Sequence, residues 1–372
     1  MNGKVKKALF AAIIIIALVI SFFAGKIVGG LSGKLNKIEK IIELLFPLEY
    51  DAELVEDTAA KFMVKALGDP YSEYMTKEES VLFEEYLTGE YKGIGIAMLY
   101  DEETDKIIVS DIEEGGSAAL AGVKAGDVLL YVDDLEFSYE NYDAVYYYIK
   151  GISKEAPDDD TEMKLGVLRD GEELEFIVKR QELILDMVTA SETDGILYIK
   201  LEGFCDASVA DFKEEMEKHK DAKGIILDLR DNGGGDLQAL IDIAELLLPE
   251  GALLMTENAG GGKIYYDVED NEYFDAPLVV LVNEDTASAA EVLAAAIKER
   301  ERGILVGKTT YGKGLVQGII PVGDGSMLRL TIEKYYTAGG NYINEIGIEP
   351  DVEAEAEEQL EKAEEYIKSK IK

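Results

Sequence analysis

The stretch Asn283-Glu284-Asp285-Thr286-Ala287-Ser288-Ala289-Ala290-Glu291 leads into a helix-like run and then into Gly307-Lys308-Thr309-Thr310-Tyr311-Gly312-Lys313-Gly314-Leu315-Val316-Gln317. The apolar run Leu278–Val282 before it reads as a buried strand. Ser288 therefore stands in the turn that leaves a strand and enters a helix, where a hydroxyl is exposed at a sheet edge. Lys313 follows a glycine-bounded turn, and the strand 315–321 carries Gln317. A serine and a lysine on adjacent loops, with an amide one strand-turn away, is the layout of a Ser-Lys nucleophile. A helix N-cap is the plainer use of Ser288, and Thr286 is the neighbouring hydroxyl.

Composition narrows the chemistry further. At 372 residues and 47% hydrophobic content the chain is long enough for two or three domains. Its net charge of −39 argues against a nucleic-acid partner, because phosphates would be repelled. The single cysteine, Cys205, allows no intrachain disulfide and no cysteine-rich zinc site. The single histidine, His219, lies on a charged helix face, so a Ser-His or Cys-His mechanism is disfavoured and the base must be another residue.

Outward from that stretch, the N-terminus carries Lys4, Lys6 and Lys7 before the apolar run Ala8–Gly25. Eighteen helical residues reach about 27 Å, close to the hydrocarbon thickness. A single-pass signal-anchor with the catalytic part on the cell-envelope side of the cell membrane is expected, with cleavage near Val28-Gly29-Gly30 as the alternative. Leu35, Ile38, Ile42 and Leu45 recur at helical spacing, for oligomerisation (a homodimer) or for packing on the body. Two further helices are expected over 51–67 and 77–87, separated by the turn Gly68-Asp69-Pro70-Tyr71-Ser72.

From residue 89 the pattern becomes short strands (94–100, 106–112, 127–132, 164–169, 174–180) with a small helix after Gly115 and a second over 139–149, ending at Lys150-Gly151. This order, with Gly93-Ile94-Gly95-Ile96 and Ala125-Gly126-Asp127, resembles a PDZ domain. In such a loop glycines let successive N–H groups turn inward onto a terminal carboxylate, while an extended peptide adds to the strand edge. Asp158-Asp159-Asp160 reads as a solvated loop without metal-ligand spacing. From Gln181 strands and helices alternate: strands 196–201, 224–230, 277–283, 304–307, 315–321 and 327–334, and helices 207–218, 237–248 and 289–302. The glycine-rich loop Asp231–Asp236 lies at one strand-to-helix mouth, and the tail 352–372 is a helix whose Leu360, Ala363 and Ile367 are expected to dock.

Taken together, Leu67–Ser72, Gly93–Gly95, Asp228–Asn232, Asn283–Glu291, Gly312–Gln317 and Gly347-Ile348-Glu349-Pro350-Asp351 resemble the C-terminal processing peptidases from about residue 51 to 351. The resemblance implies an α/β (α+β) multidomain fold: a ClpP/crotonase-like protease core with an inserted PDZ domain and an N-terminal helical region. The implied division is a cytoplasmic tail 1–7, span 8–25, linker and helix 26–48, helical region 49–88, PDZ domain 89–180, protease core 181–351 and helical tail 352–372. It implies a serine endopeptidase that binds exposed C-terminal tails of proteins or peptides, with Ser288 as nucleophile, Lys313 as general base and Gln317 orienting it.

The separation of 25 residues between Ser288 and Lys313 agrees with that family. The oxyanion donors map to the N–H groups of Gly234 and Ala289, and the tail-binding loop to Gly93, Ile94, Gly95 and Ile96. Lys150 maps to a cation that senses the bound tail; a lysine favoured by the helix dipole is the simpler account. This chain departs from the family at Gly233, where proline is common, and at Ala290, where a further serine often stands. No cofactor is expected. A free lysine is a poor base at neutral pH, so burial must favour the neutral amine.

Three other readings compete. Gly307-x-x-x-x-Gly312-Lys313 resembles a phosphate loop, but Gly314 stands where Ser or Thr would bind magnesium. The strand–helix order of the core is also like that of crotonase-type enzymes, and a PDZ-bearing scaffold with a dead site is the non-enzymatic alternative.

Overall fold

The computed structural model describes residues 33–102, 104–269 and 272–371. The expected cytoplasmic tail 1–7 and membrane span 8–25 lie outside these residues. Among the described residues no helix is long and apolar enough to cross a membrane. The single-pass membrane placement expected from the sequence is therefore withdrawn.

Helix α1 (Leu35–Leu45) fully buries none of its side chains, with Ile42 half-buried. Helix α2 (Ala52–Lys65) starts at Asp51, whose carboxylate accepts from the Leu54 amide. Strand β1 (Glu73–Met75) follows the Gly68–Ser72 turn, and α3 (Lys77–Thr88) opens on a reciprocal cap between Thr76 and Glu79.

Next comes an inserted unit with its own core of Ile94, Val109, Val132, Val145, Leu165 and Val167. It contains β2 (Glu90–Gly93), β3 (Ile96–Asp101), β4 (Lys106–Ile112), α4 (Ser117–Ala121), β5 (Val128–Val132) and β6 (Leu135–Glu136). Helix α5 (Tyr142–Lys150), β7 (Glu162–Arg169) and β8 (Glu172–Lys179) complete it. The sheet runs β3-β4-β5-β7-β8, which leaves β3 as an open edge. The chain leaves through β9 (Gln181–Ile184), which pairs antiparallel with β2, so the way in and the way out form a two-stranded neck. Asp159 is no free loop residue, because it pairs with Lys92 at 2.7 Å and with the buried Arg180 at 3.2 Å.

The core follows as β10 (Val188–Thr193), β11 (Ile196–Leu201), α6 (Asp206–Lys218), β12 (Gly224–Asp228), α7 (Leu237–Leu247), β13 (Gly251–Asn258), β14 (Lys263–Val268), β15 (Leu278–Val282), α8 (Ala289–Glu299), β16 (Gly303–Gly307), β17 (Leu315–Pro321), β18 (Met327–Thr337), β19 (Val352–Glu353) and α9 (Ala356–Lys370). One sheet runs β10-β11-β12-β15-β16-β19, parallel from β11 onward. Its centre, β12 and β15, is buried at every residue, which is why these strands read as unbroken apolar runs. Helices α6, α7 and α8 cover one face, and α9 covers the other through Ala363 and Ile367. Leu360, expected to dock as well, is 40% exposed; the inward row is Gln359, Ala363 and Ile367 at i, i+4 spacing.

The second sheet runs β1-β18-β13-β14 with β17 also on β18. Strand β1 pairs Glu73–Met75 with Arg329–Met327, so the N-terminal region is stitched into the protease body. The architecture is α/β and multidomain, with the inserted sheet unit between the N-terminal helices and the core.

Candidate active site

Ser288 is placed by the carboxyl end of β15 and the first turn of α8. Its backbone sits at φ 56°, ψ −119°, a region that L-residues rarely adopt and that costs about 1–3 kcal/mol. Two contacts hold it there: its N–H donates to Glu291 Oε2 at 2.9 Å, and the Tyr335 hydroxyl donates to its carbonyl at 3.3 Å. Thr286, the other hydroxyl of the stretch, is fully buried; it donates to the Leu229 carbonyl at 2.8 Å and accepts from the Asn283 amide at 3.0 Å. Thr286 pins β12 to the turn, whereas the Ser288 side chain keeps solvent access.

Glu291 organises the site. It is completely buried and accepts four bonds: from the N–H groups of Ser288 (2.9 Å), Gly312 (2.7 Å) and Lys313 (2.9 Å), and from the Thr310 hydroxyl (2.5 Å). Burial pushes its carboxyl above the ordinary range, and these four donors work against that push. The sequence reading gave it no role, although Ser288-Ala289-Ala290-Glu291 has the spacing of a capping box.

Lys313 follows Gly312, whose φ of 86° and close approach to the Ile346 and Gly347 amides exclude a side chain. The 343–347 segment therefore backs the lysine loop and fixes its path. The Lys313 amine lies 5.1 Å from the centre of the Tyr71 ring. Burial, then Arg329, holds this amine below its usual value, while Glu291 and Asp69 pull the other way. Its amine and the Ser288 hydroxyl share no hydrogen bond among the described residues, nor do Lys313 and Gln317. The Gln317 amide donates instead to the Leu315 carbonyl and the Thr331 hydroxyl, each at 3.3 Å.

Gly234 and Ala289 lie together beside Ser288: a Cβ on Gly234 would stand 2.8 Å from the Ser288 Cβ and 2.9 Å from the Ala289 nitrogen. The Gly234 N–H donates to Asn232 Oδ1 at 2.8 Å, while the Ala289 N–H opens α8. The base of this glycine loop is bolted by the fully buried Asp228, which accepts from Arg230 Nε at 2.9 Å and from the Tyr198 hydroxyl at 2.7 Å. Arg230 also reaches Gln359 of α9 at 3.3 Å. His219 sits elsewhere, against Glu192 at 2.7 Å, and Cys205 caps α6.

In the inserted unit, Gly93, Ile94, Gly95 and Ile96 line a cavity of about 600 Å³ between the open edge β3, α5 and α3. Lys150 is not solvated at its helix end. Its amine meets Glu85 of α3 at 2.6 Å, both side chains largely buried, and lies 4.6 Å from the Tyr91 ring centre. Burial lowers the Lys150 amine and the Glu85 carboxylate raises it, with burial the larger.

Residues 195–354 match Peptidase family S41 and residues 80–159 match the PDZ domain. The chain is 34% identical over 327 residues to the carboxy-terminal processing protease CtpA of Bacillus subtilis (strain 168), covering 87% of this chain and 68% of that one. The chain belongs to the C-terminal processing peptidases of family S41. Among solved structures, the photosystem II D1 C-terminal processing protease is similar with a TM-score of 0.50 at 28% identity, over 85% of this chain and 86% of that one. The protein is thus a C-terminal processing serine peptidase carrying a PDZ domain. That membership removes the phosphate-loop, crotonase and scaffold readings of the S41 peptidase's sequence.

Proposed function

We propose that the peptidase cleaves polypeptides whose C-terminal tails its PDZ domain holds, with Ser288 as nucleophile and Lys313 as general base. The observation that carries this reading is the attachment of both residues to one buried carboxylate, Glu291, with Ser288 in a strained turn. The neutral Lys313 amine takes the proton of the Ser288 hydroxyl as its oxygen attacks the scissile carbonyl. The lysine then hands that proton to the leaving amine, which departs and leaves an ester on Ser288. Water, deprotonated by the same amine, releases the acid.

The Ala289 N–H, at the head of α8, stabilises the oxyanion, joined by Gly234 once its bond to Asn232 yields. Gln317 supports the lysine through Thr331. A substrate tail lies along β3 with its carboxylate in the Gly93–Ile96 loop, and Lys150 reports its arrival by leaving Glu85. The units that do this are 49–88, 89–180 and 181–351, with 352–372 closing the back of the core.

The test is incubation of residues 33–372 with an unstructured protein, products being read by mass spectrometry, beside Ser288→Ala and Lys313→Ala. Loss of cleavage by at least about 10³-fold in both variants is expected. Undiminished cleavage in either would remove the assignment.

A further inference from the structure

The turn Gly68–Ser72 belongs by sequence to the N-terminal helices, yet it reaches the amine of Lys313. Tyr71 places its ring under that amine, 5.1 Å from ring centre to nitrogen. Asp69 is fixed within the same turn: it accepts from the Ser72 hydroxyl at 2.5 Å and from the Tyr71 amide at 3.1 Å. The turn is hooked to the core sheet where the Thr331 amide donates to Ser72 Oγ at 3.0 Å. Thr331 is also the residue that receives the Gln317 amide at 3.3 Å. One strand position, Thr331, therefore joins the turn on one side to Gln317 on the other, and β1 beside it keeps the turn in register with β18.

We propose that Asp69 and Tyr71 are positioning residues of the peptidase reaction, which fix where the Lys313 amine stands and at what pH it becomes a base. The inference rests on the reading of Lys313 as the base. Its chemistry is simple. An aromatic face and a carboxylate both favour an ammonium over a neutral amine. They oppose burial, which favours the neutral form, and so set the balance the reaction needs.

The other groups facing Lys313 are Arg329 on β18, which disfavours its charge, and Glu291 on α8, which favours it. The Tyr71 hydroxyl is pushed by burial, and next by Tyr311, up to about 12 and stays protonated through the working range. Tyr335, buried nearby, is held well above the usual phenol value by burial and by Glu291 and Tyr71. Burial works against the Asp69 charge, yet Ser72, Thr331, the Tyr71 amide and Lys313 together hold its carboxyl below the ordinary range, so Asp69 is an anion wherever the enzyme works.

The experiment is the pH dependence of kcat/KM in Asp69→Asn, Tyr71→Leu, Tyr71→Phe and Ser72→Ala, with Lys313→Met alongside. Removing the anion or the ring destabilises the ammonium, so the acid limb moves to lower pH in Asp69→Asn and in Tyr71→Leu. Tyr71→Leu also loses about tenfold in kcat with KM little changed, since the amine loses its seat. Tyr71→Phe, which keeps the ring and drops the hydroxyl, restores both the limb and kcat. Ser72→Ala removes the hydroxyl that donates to Asp69 and hooks the turn to Thr331, so its limb moves in the same direction as those of Asp69→Asn and Tyr71→Leu.

Acid limbs of Asp69→Asn and Tyr71→Leu coincident with the native limb, while Lys313→Met is dead, would overturn the inference alone. A Ser72→Ala limb that stays with the native one, or a Tyr71→Phe that behaves as Tyr71→Leu, would do the same. An active Lys313→Met would instead overturn the underlying assignment of the base.

Discussion

Ser288 and Lys313 donate their backbone N–H groups to the same oxygen, Oε2 of Glu291, each at 2.9 Å. Their amide nitrogens thus lie no farther apart than the two bonds laid end to end, although 25 residues separate them in sequence. The carboxylate is a template: two turns from different strands are aligned on it before any substrate arrives.

Glu291→Gln should break that template at nearly constant volume. An amide brings one acceptor oxygen and an NH₂ group to a place where four donors converge, so at least one donor is left opposed and buried. A loss of about 2 kcal/mol or more is expected, with kcat down about a hundredfold because the hydroxyl and amine lose alignment. Urea unfolding and steady-state rates on a short peptide check both; native-like stability would mean the four bonds carry little.

The backbone of Ser288 makes a separate prediction. Its φ of 56° and ψ of −119° suit glycine, so Ser288→Gly relieves strain that Ser288→Ala retains. Relief of about 1–3 kcal/mol outweighs the glycine entropy cost of about 0.5–1 kcal/mol. Ser288→Gly should thus unfold at higher urea than Ser288→Ala, both being inactive. An alanine variant at least as stable would mean that the turn is unstrained.

Lys313 links function to stability through pH. Its amine is held below the ordinary value by burial and Arg329, so between that lowered pKa and 10.5 the unfolded chain holds a proton that the native enzyme has released. Native stability therefore rises with pH across that window and is lost again as pH falls through the folded pKa. Lys313→Met has no such dependence. At neutral pH it should be the more stable protein by on the order of 1 kcal/mol, with the difference shrinking as pH approaches 10. Thermal melting from pH 6 to pH 10 measures this; parallel curves for the two proteins would mean the amine is not desolvated.

Much of this was legible in the sequence because it is local. The apolar run Leu278–Val282 gives a strand buried on both faces, and the spacing from Ser288 to Lys313 follows from the family resemblance. What the sequence concealed is non-local. The hairpin Gly251–Asn258 with Lys263–Val268 went unread, since its face toward α7 and α8 and its partner β18 are known only from the fold. Strand β1 has three residues and no period to display. Glu291 was hidden because a lone acid at the head of a helix looks like a cap; that it also receives the Lys313 loop requires the turn after β16 to return to α8. Tyr71 and Asp69 were read as turn residues for the same reason.

The buried pair Lys150–Glu85 joins the PDZ helix to α3 beside the cavity lined by Gly93–Ile96, with only 7% and 17% of the two side chains exposed. Lys150→Met alone leaves the Glu85 carboxylate, among the described residues, with the Lys92 amide at 2.9 Å, and removing one partner of such a pair costs about 3 kcal/mol. Replacing both, in Lys150→Met/Glu85→Leu, removes the stranded charge, so the double variant should be more stable than either single one. The functional signature differs from the structural one. If Lys150 leaves Glu85 to meet the tail, the double variant keeps its rate on a short peptide but no longer responds to a protein substrate with a free C-terminus. A double variant that still distinguishes the two substrates as the native enzyme does would confine the pair to holding the domains together.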